Sequence, residues 1–203
     1  EALACLPNLK ELKVCDRSGS NRTDPLRLKD GEATALAWRA PALTKLHLQF
    51  SRETQLPNIL APQLETVRVN GVSADSLAPL LVQAPKLRCL SVGECPGDGK
   101  ADEALQTAMR LTPWDLLEEL TADHSMRRMF GSLPAWIKQW PWNRSALRVL
   151  ESTLDWWTLP EDIQNVLAQF PNLEQASIRF SQRVPSLLGK QPPHPVRPLR
   201  DCP

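Results

Sequence analysis

Ala61-Pro62-Gln63-Leu64-Glu65-Thr66-Val67-Arg68-Val69 is the stretch on which the fold turns, because the same phrase returns along the chain. It reads Leu6-Pro7-Asn8-Leu9-Lys10-Glu11-Leu12-Lys13-Val14 near the start, then "APALTKLHL" from Ala40, "APKLRCLSV" from Ala84 and "FPNLEQASI" from Phe170. Two further copies, around Leu117/Leu120 and Leu147/Leu150, lack the proline, which makes seven in all. The shared core is Pro-x-Leu-x-x-Leu-x-Val/Leu. Its last two apolar positions lie two apart, the mark of a short strand buried on one side. The proline comes before the strand, where its missing N–H removes no ladder hydrogen bond and its fixed φ helps to start the extended segment.

Working outward from the phrase, the leading leucines (Leu9, Leu43, Leu64, Leu87, Leu117, Leu147 and Leu173) follow one another at intervals of about 21 to 34 residues. Such variable spacing excludes a strict array and suits a solenoid whose return segments differ in length. The return segments carry apolar residues at helical spacing over 74–83, 101–111 and 160–170, which predicts helices there, with a shorter one over 133–140 stopped by Pro141. In the 160–170 segment Pro160 suits a first turn, and Glu161 and Asp162 suit the positive end of the helix. Glycine-rich pieces at Ser18-Gly19-Ser20-Asn21 and Pro96-Gly97-Asp98-Gly99 read as turns. The expected fold class is therefore α/β: a solenoid over residues 1–182 with a curved parallel sheet on the concave side and helices and irregular loops on the convex side. An ordinary α/β domain with coincidental Pro-x-Leu phrases is the alternative.

The phrases "LPNLKELKVCD" and "FPNLEQASIRF" resemble leucine-rich repeats, especially the irregular ones attached to F-box proteins, over roughly residues 3 to 181. The resemblance implies the solenoid and a protein-binding role. Asn or Cys is expected in that family three residues after the last apolar strand position. Here those places hold Arg17, Ser51, Val72, Cys95, Ser125, Asp155 and Ser181, so only Cys95 fits and the turns should be less regular. The resemblance also implies, as an alternative function, the substrate-recognition arm of an F-box-type ubiquitin ligase whose F-box is not in this sequence. The chain opens at Glu1, without a methionine and with a repeat almost at once. The expectation is a fragment, since repeat arrays need polar caps.

Alternation along each strand predicts which side chains leave the core. The expected partner-binding residues of the concave face are Lys13, Lys45, His47, Arg68, Asn70, Glu119, Asp123, Glu151 and Arg179. They run from basic (Lys13, Lys45, Arg68) to acidic (Glu119, Asp123, Glu151), with a neutral middle at Cys89, Ser91 and Gly93. A partner of opposite polarity would be steered by such a gradient; a solvated strand face with charges segregated by chance is the plainer reading. Trp136 and Trp140, four apart, read as core packing, and Trp142 and one of Trp156 and Trp157 as exposed. Residues 183–203, with "QPPHPVRP", read as a proline-rich, disordered tail or linker.

The chemistry-bearing residues argue for a binder. With 42% hydrophobic and 23% charged residues and a net charge of +1, the 203-residue chain has an ordinary globular composition and no global field toward nucleic acid or an acidic membrane. No apolar run approaches the roughly 20 residues of a spanning helix. Cys5, Cys15, Cys89, Cys95 and Cys202 are odd in number and scattered, which predicts reduced thiols and a cytoplasmic or nuclear home. The sequons at Asn21 and Asn143 weigh little against that. Asp123-His124-Ser125 holds the residue types of a hydrolytic relay, but chain neighbours cannot form one. Gly97-Asp98-Gly99-Lys100 lacks phosphate-loop spacing, and Cys89 and Cys95 have no second pair at zinc spacing. The expectation is a non-enzymatic protein–protein scaffold with no cofactor and no metal, an unrecognised catalytic site being the remote alternative.

Overall fold

The computed structural model describes residues 4–15, 37–95, 99–112, 114–122, 143–155 and 160–181. Seven parallel strands form one sheet in strict chain order: β2 (Glu11–Cys15), β4 (Lys45–Thr54), β6 (Thr66–Val72), β7 (Cys89–Val92), β8 (Glu119–Ala122), β9 (Val149–Asp155) and β10 (Gln175–Ser181). Each begins two residues after one of the seven leading leucines. The protein is thus a mixed α/β chain in which every copy of the phrase contributes one strand beside the copies before and after it.

Short-range chemistry explains why the strands start where they do. The residue before each proline accepts a hydrogen bond from the leading leucine, as in Leu43 N to Ala40 O and Leu64 N to Ala61 O, at 3.1–3.3 Å. Pro7, Pro41, Pro62, Pro85 and Pro171 therefore occupy the second position of a β-turn, for which their fixed φ is preset. This is a sharper role than the one expected from sequence, where proline only opened the strand. Units without the proline build the turn otherwise. Leu117 N donates to Trp114 O, and in the sixth unit Ala146 N donates to Asn143 O while the Asn143 side chain accepts from Ser145 N. From the second unit on, two successive N–H groups after the turn converge on the carbonyl just before the preceding strand, for example Arg88 N and Cys89 N on Glu65 O at 2.8 and 3.0 Å. The junction recurs from β2 to β10 and sets one register at the strand starts, which β4 leaves only beyond Gln49, where its pairing with β6 shifts so that Thr54 meets Val72.

The return segments form the other layer, in two styles. Helices α1 (Ala74–Val82), α2 (Gly99–Leu111) and α3 (Pro160–Leu167) lie close to the three predicted spans. The expected helix over 133–140 and the tail lie outside the described residues, as do Trp136, Trp140, Trp142, Trp156 and Trp157. The first three units instead carry β1 (Ala4–Cys5), β3 (Ala37–Arg39) and β5 (Asn58–Leu60), which pair in parallel as a second, three-stranded sheet. These strands have two or three residues each, too few for alternation to show in sequence.

A single core fills the space between layers. Leu43, Leu64, Leu87, Leu117 and Leu147 are buried, and so are Leu46, Val67, Leu90, Leu120 and Leu150, which lie side by side across the sheet. Leu77 and Leu81 of α1, Leu105 and Met109 of α2, and Val166 of α3 close the cluster. Toward both edges Leu9, Leu12, Val14, Leu173 and Ile178 are only partly buried. On the surface at the strand starts, side chains bridge neighbouring units. Arg88 Nη1 meets Glu118 Oε1 at 2.5 Å, Arg148 Nη1 meets Glu174 Oε1 at 3.3 Å, and Lys86 Nζ donates to Gln63 Oε1 at 2.6 Å. Such exposed pairs contribute about 0–1 kcal/mol each, so the stability rests on the core beneath them.

Candidate functional site: the open face of the sheet

Because the register is continuous, the residues that alternate away from the core stand in rows across the strands. One row runs Glu11, Lys45, Thr66, Cys89, Glu119, Val149, Gln175; the next runs Lys13, His47, Arg68, Ser91, Thr121, Glu151, Ser177. A third holds Cys15, Gln49 and Asn70, and, at the far edge, Thr153 beside Arg179. Of the expected binding residues, Lys13, Lys45, Arg68, Glu119 and Arg179 are exposed, and His47, Asn70 and Glu151 are half-buried. Asp123 lies outside the described residues.

The charges are arranged less simply than a gradient. Arg68 reaches from β6 across β7 to β8, where its Nη2 lies 3.7 Å from Glu119 Oε2 with both side chains about half exposed. On the way the same nitrogen lies 3.8 Å from Cys89 Sγ. The innermost basic group of one end is therefore paired with the first acid of the other. Burial pushes the Cys89 thiol above its ordinary pKa, the Arg68 contact opposes this, and Glu119 adds to it. A thiol so placed is a poor nucleophile at neutral pH. In a timed alkylation read by peptide mass spectrometry, exposed Cys5 and Cys15 should react first, Cys89 slowly, and buried Cys95 only on unfolding. Fast labelling of Cys89 would contradict this environment.

His47 sits in the middle of the basic end, between Lys13 and Arg68 in its row and two residues after Lys45 in its strand. Its Nε2 is buried and has no hydrogen-bond partner. Burial lowers its pKa below the usual 6.5, Arg68 lowers it further, Glu11 opposes, and Lys13 and Lys45 add to the lowering. The ring is accordingly neutral at physiological pH.

Asn70 does a job that its row position does not disclose. Its Oδ1 accepts from Glu94 N at 2.7 Å and its Nδ2 donates to Phe50 O at 3.5 Å, so one side chain ties three successive units together. Gly93 is glycine for that reason, since a Cβ there would lie 2.3 Å from Asn70 Oδ1. Next to it Gly71, at a φ of 72°, takes the left-handed conformation and donates to Glu94 O. Sequence reasoning missed this lock, which depends on cross-strand neighbours. Cys95 is buried.

Among the described residues, the other layer holds an open groove of about 600 Å³ between α1 and α2. Its rim includes exposed Val82 and Leu111. Among the described residues no three His, Cys, Asp or Glu side chains gather as metal ligands, and no helix is long and apolar enough to cross a membrane. Comparison with protein-family models, with curated proteins and with solved structures finds no match for this chain.

Proposed function

We propose that the chain is a leucine-rich-repeat solenoid of the irregular, F-box-associated kind, acting as a non-enzymatic scaffold that holds a protein partner on the concave face of its seven-stranded sheet. The observation that carries this reading is the coincidence of repeat and register. Seven copies of one phrase become seven adjacent parallel strands, and their outward positions line up as continuous polar and charged rows. An architecture of this type gives each unit neighbours only on two sides and leaves one broad sheet face for recognition. In support of this reading, Lys13, Lys45, His47, Arg68, Glu119, Glu151 and Arg179 occupy paired positions that alternate away from the core.

Affinity purification from the source cell tests the reading by comparing the chain with its Lys45→Glu/Arg68→Glu variant. Partners captured by the first and lost by the second support the face. Thermal stability should meanwhile change by no more than about 1 kcal/mol, because Lys45 is exposed and the Arg68 pair is half-exposed. Identical partner sets would move the binding surface elsewhere, first to the groove beside Val82 and Leu111. Ubiquitin-ligase subunits retained by both forms would favour the receptor-arm version of the proposal, in which the F-box belongs to another part of the same protein.

A further inference from the structure

We infer that the β2–β4–β6 end of the sheet face is a docking site for an acidic peptide segment of a protein partner, with His47 as its proton-responsive centre. This rests on the reading of that face as the partner surface. Lys13, His47 and Arg68 occupy one row on three adjacent strands, and Lys45 precedes His47 by two on the same side of β4. Neighbouring strands stand about 4.8 Å apart, so the row from Lys13 to Arg68 spans about 10 Å. An extended peptide rises about 3.3 Å per residue, so a run of three or four acidic residues covers the row. The described residues of these rows contain no Phe, Tyr or Trp on which bases could stack, which favours a peptide over a single-stranded nucleic acid.

Two groups of the free protein await such a ligand. Arg68 is held by two long contacts, a half-exposed one to Glu119 and one to Cys89 Sγ, which an incoming carboxylate can replace. The Nε2 of His47 is buried without a partner, so the carboxylates of a segment bound across the row act on the ring through their charge and not by direct contact. In the free state the groups facing His47 oppose its protonation: Lys13 from β2, Lys45 from its own strand and Arg68 from β6, with Glu11 of β2 the acid acting the other way. Burial is the largest cause of the lowering and persists in the complex, but the carboxylates of a bound acidic segment offset the three cations beside the ring, and that charge effect raises the His47 pKa. Binding then takes up a proton, and by linkage affinity increases as pH falls through the imidazole range.

The experiment is fluorescence anisotropy of the full chain with a labelled oligo-glutamate peptide in low salt, at about pH 7.5 and about pH 5.5, where an imidazole titrates and the peptide acids stay charged. The peptide should bind and tighten up to about fivefold at the lower pH, the scale of one added exposed ion pair. Lys45→Glu/Arg68→Glu should weaken it tenfold or more. Glu119→Gln should strengthen it by freeing Arg68, a gain that unfolding cannot mimic. His47→Gln should retain binding at the higher pH and lose the pH dependence. Absence of peptide binding, binding indifferent to the double variant, or binding indifferent to pH would overturn the inference. A single-stranded oligonucleotide of equal charge binding more tightly would overturn it too. Where natural partners are lost with the double variant but the peptide is ignored, the partner-surface reading stands and this inference falls; where neither responds, both fall.

Discussion

Replacement of Trp114 by alanine should lower folding stability by about 3–5 kcal/mol, the range for truncating a buried tryptophan. Trp114 is 1% exposed and heads the group of largest fully buried side chains. It stands where other units have Ala40, Ala61 and Ala84, as the first residue of the turn that launches a strand. Alanine fits there because those units close around a small residue; around Trp114 the volume belongs to an indole, so truncation leaves a cavity. Its Nε1 also donates to Met109 O at 2.6 Å, near the end of α2, and that carbonyl would lose its partner. Trp114→Phe should be intermediate, keeping a ring and losing the hydrogen bond. Urea unfolding followed by circular dichroism is the measurement, with the midpoint falling and the slope unchanged. A loss under about 1 kcal/mol would mean that the seam between α2 and β8 is not packed around this ring.

Most of the main sheet was legible in the sequence, because each strand is announced by a turn with its own chemistry and by a leucine that must be buried. The three described helices were legible for a similar reason, being long enough for a helical period to show. Their expected bounds ran a few residues off at the ends, where capping and turn bonds decide. The second sheet was not legible. Ala37–Arg39 and Asn58–Leu60 are strands only because each lies beside the same segment of the next unit. Trp114 was hidden because its unit carries no proline at the second turn position, so the match to Ala40 and Ala61 shows only through the Leu117 N to Trp114 O bond.

The site followed the same rule. That Lys13, His47 and Arg68 share a row was readable from alternation and the common phrase, since one register applies at the strand starts. That Arg68 would cross β7 to reach Glu119 was not, because the two lie on strands that are not neighbours and a long side chain chooses among several acceptors. Nor was the use of Asn70 as a brace between units, which turns a supposed groove residue into one whose amide is already engaged. Face assignment is a property of period; contact is a property of neighbours, and the variable return segments hide who the neighbours are.

Leu90→Ala should cost about 2–5 kcal/mol, whereas Leu12→Ala, at the same position of the first strand, should cost roughly 1 kcal/mol. Both are the second apolar residue of the phrase and occupy one register row, so sequence alone ranks them equally. Burial separates them: Leu90 is 0% exposed, between Val67 and Leu120, while Leu12 is only partly buried and, among the described residues, has a paired strand on one side. In the proposed solenoid stability is nearly a sum of unit and nearest-neighbour interface terms, so a central cavity weakens two interfaces and an edge cavity one. Leu90→Ala should therefore broaden the urea transition as well as shift it, because the units on either side of β7 begin to unfold separately. Leu12→Ala should only shift it slightly. Hydrogen exchange on Leu90→Ala would show lost protection concentrated in β6, β7 and β8 and spreading outward. Equal costs for the two leucines, with uniform loss of protection, would argue for one globally cooperative α/β core, and the proposal of a nearest-neighbour array would then have to be given up.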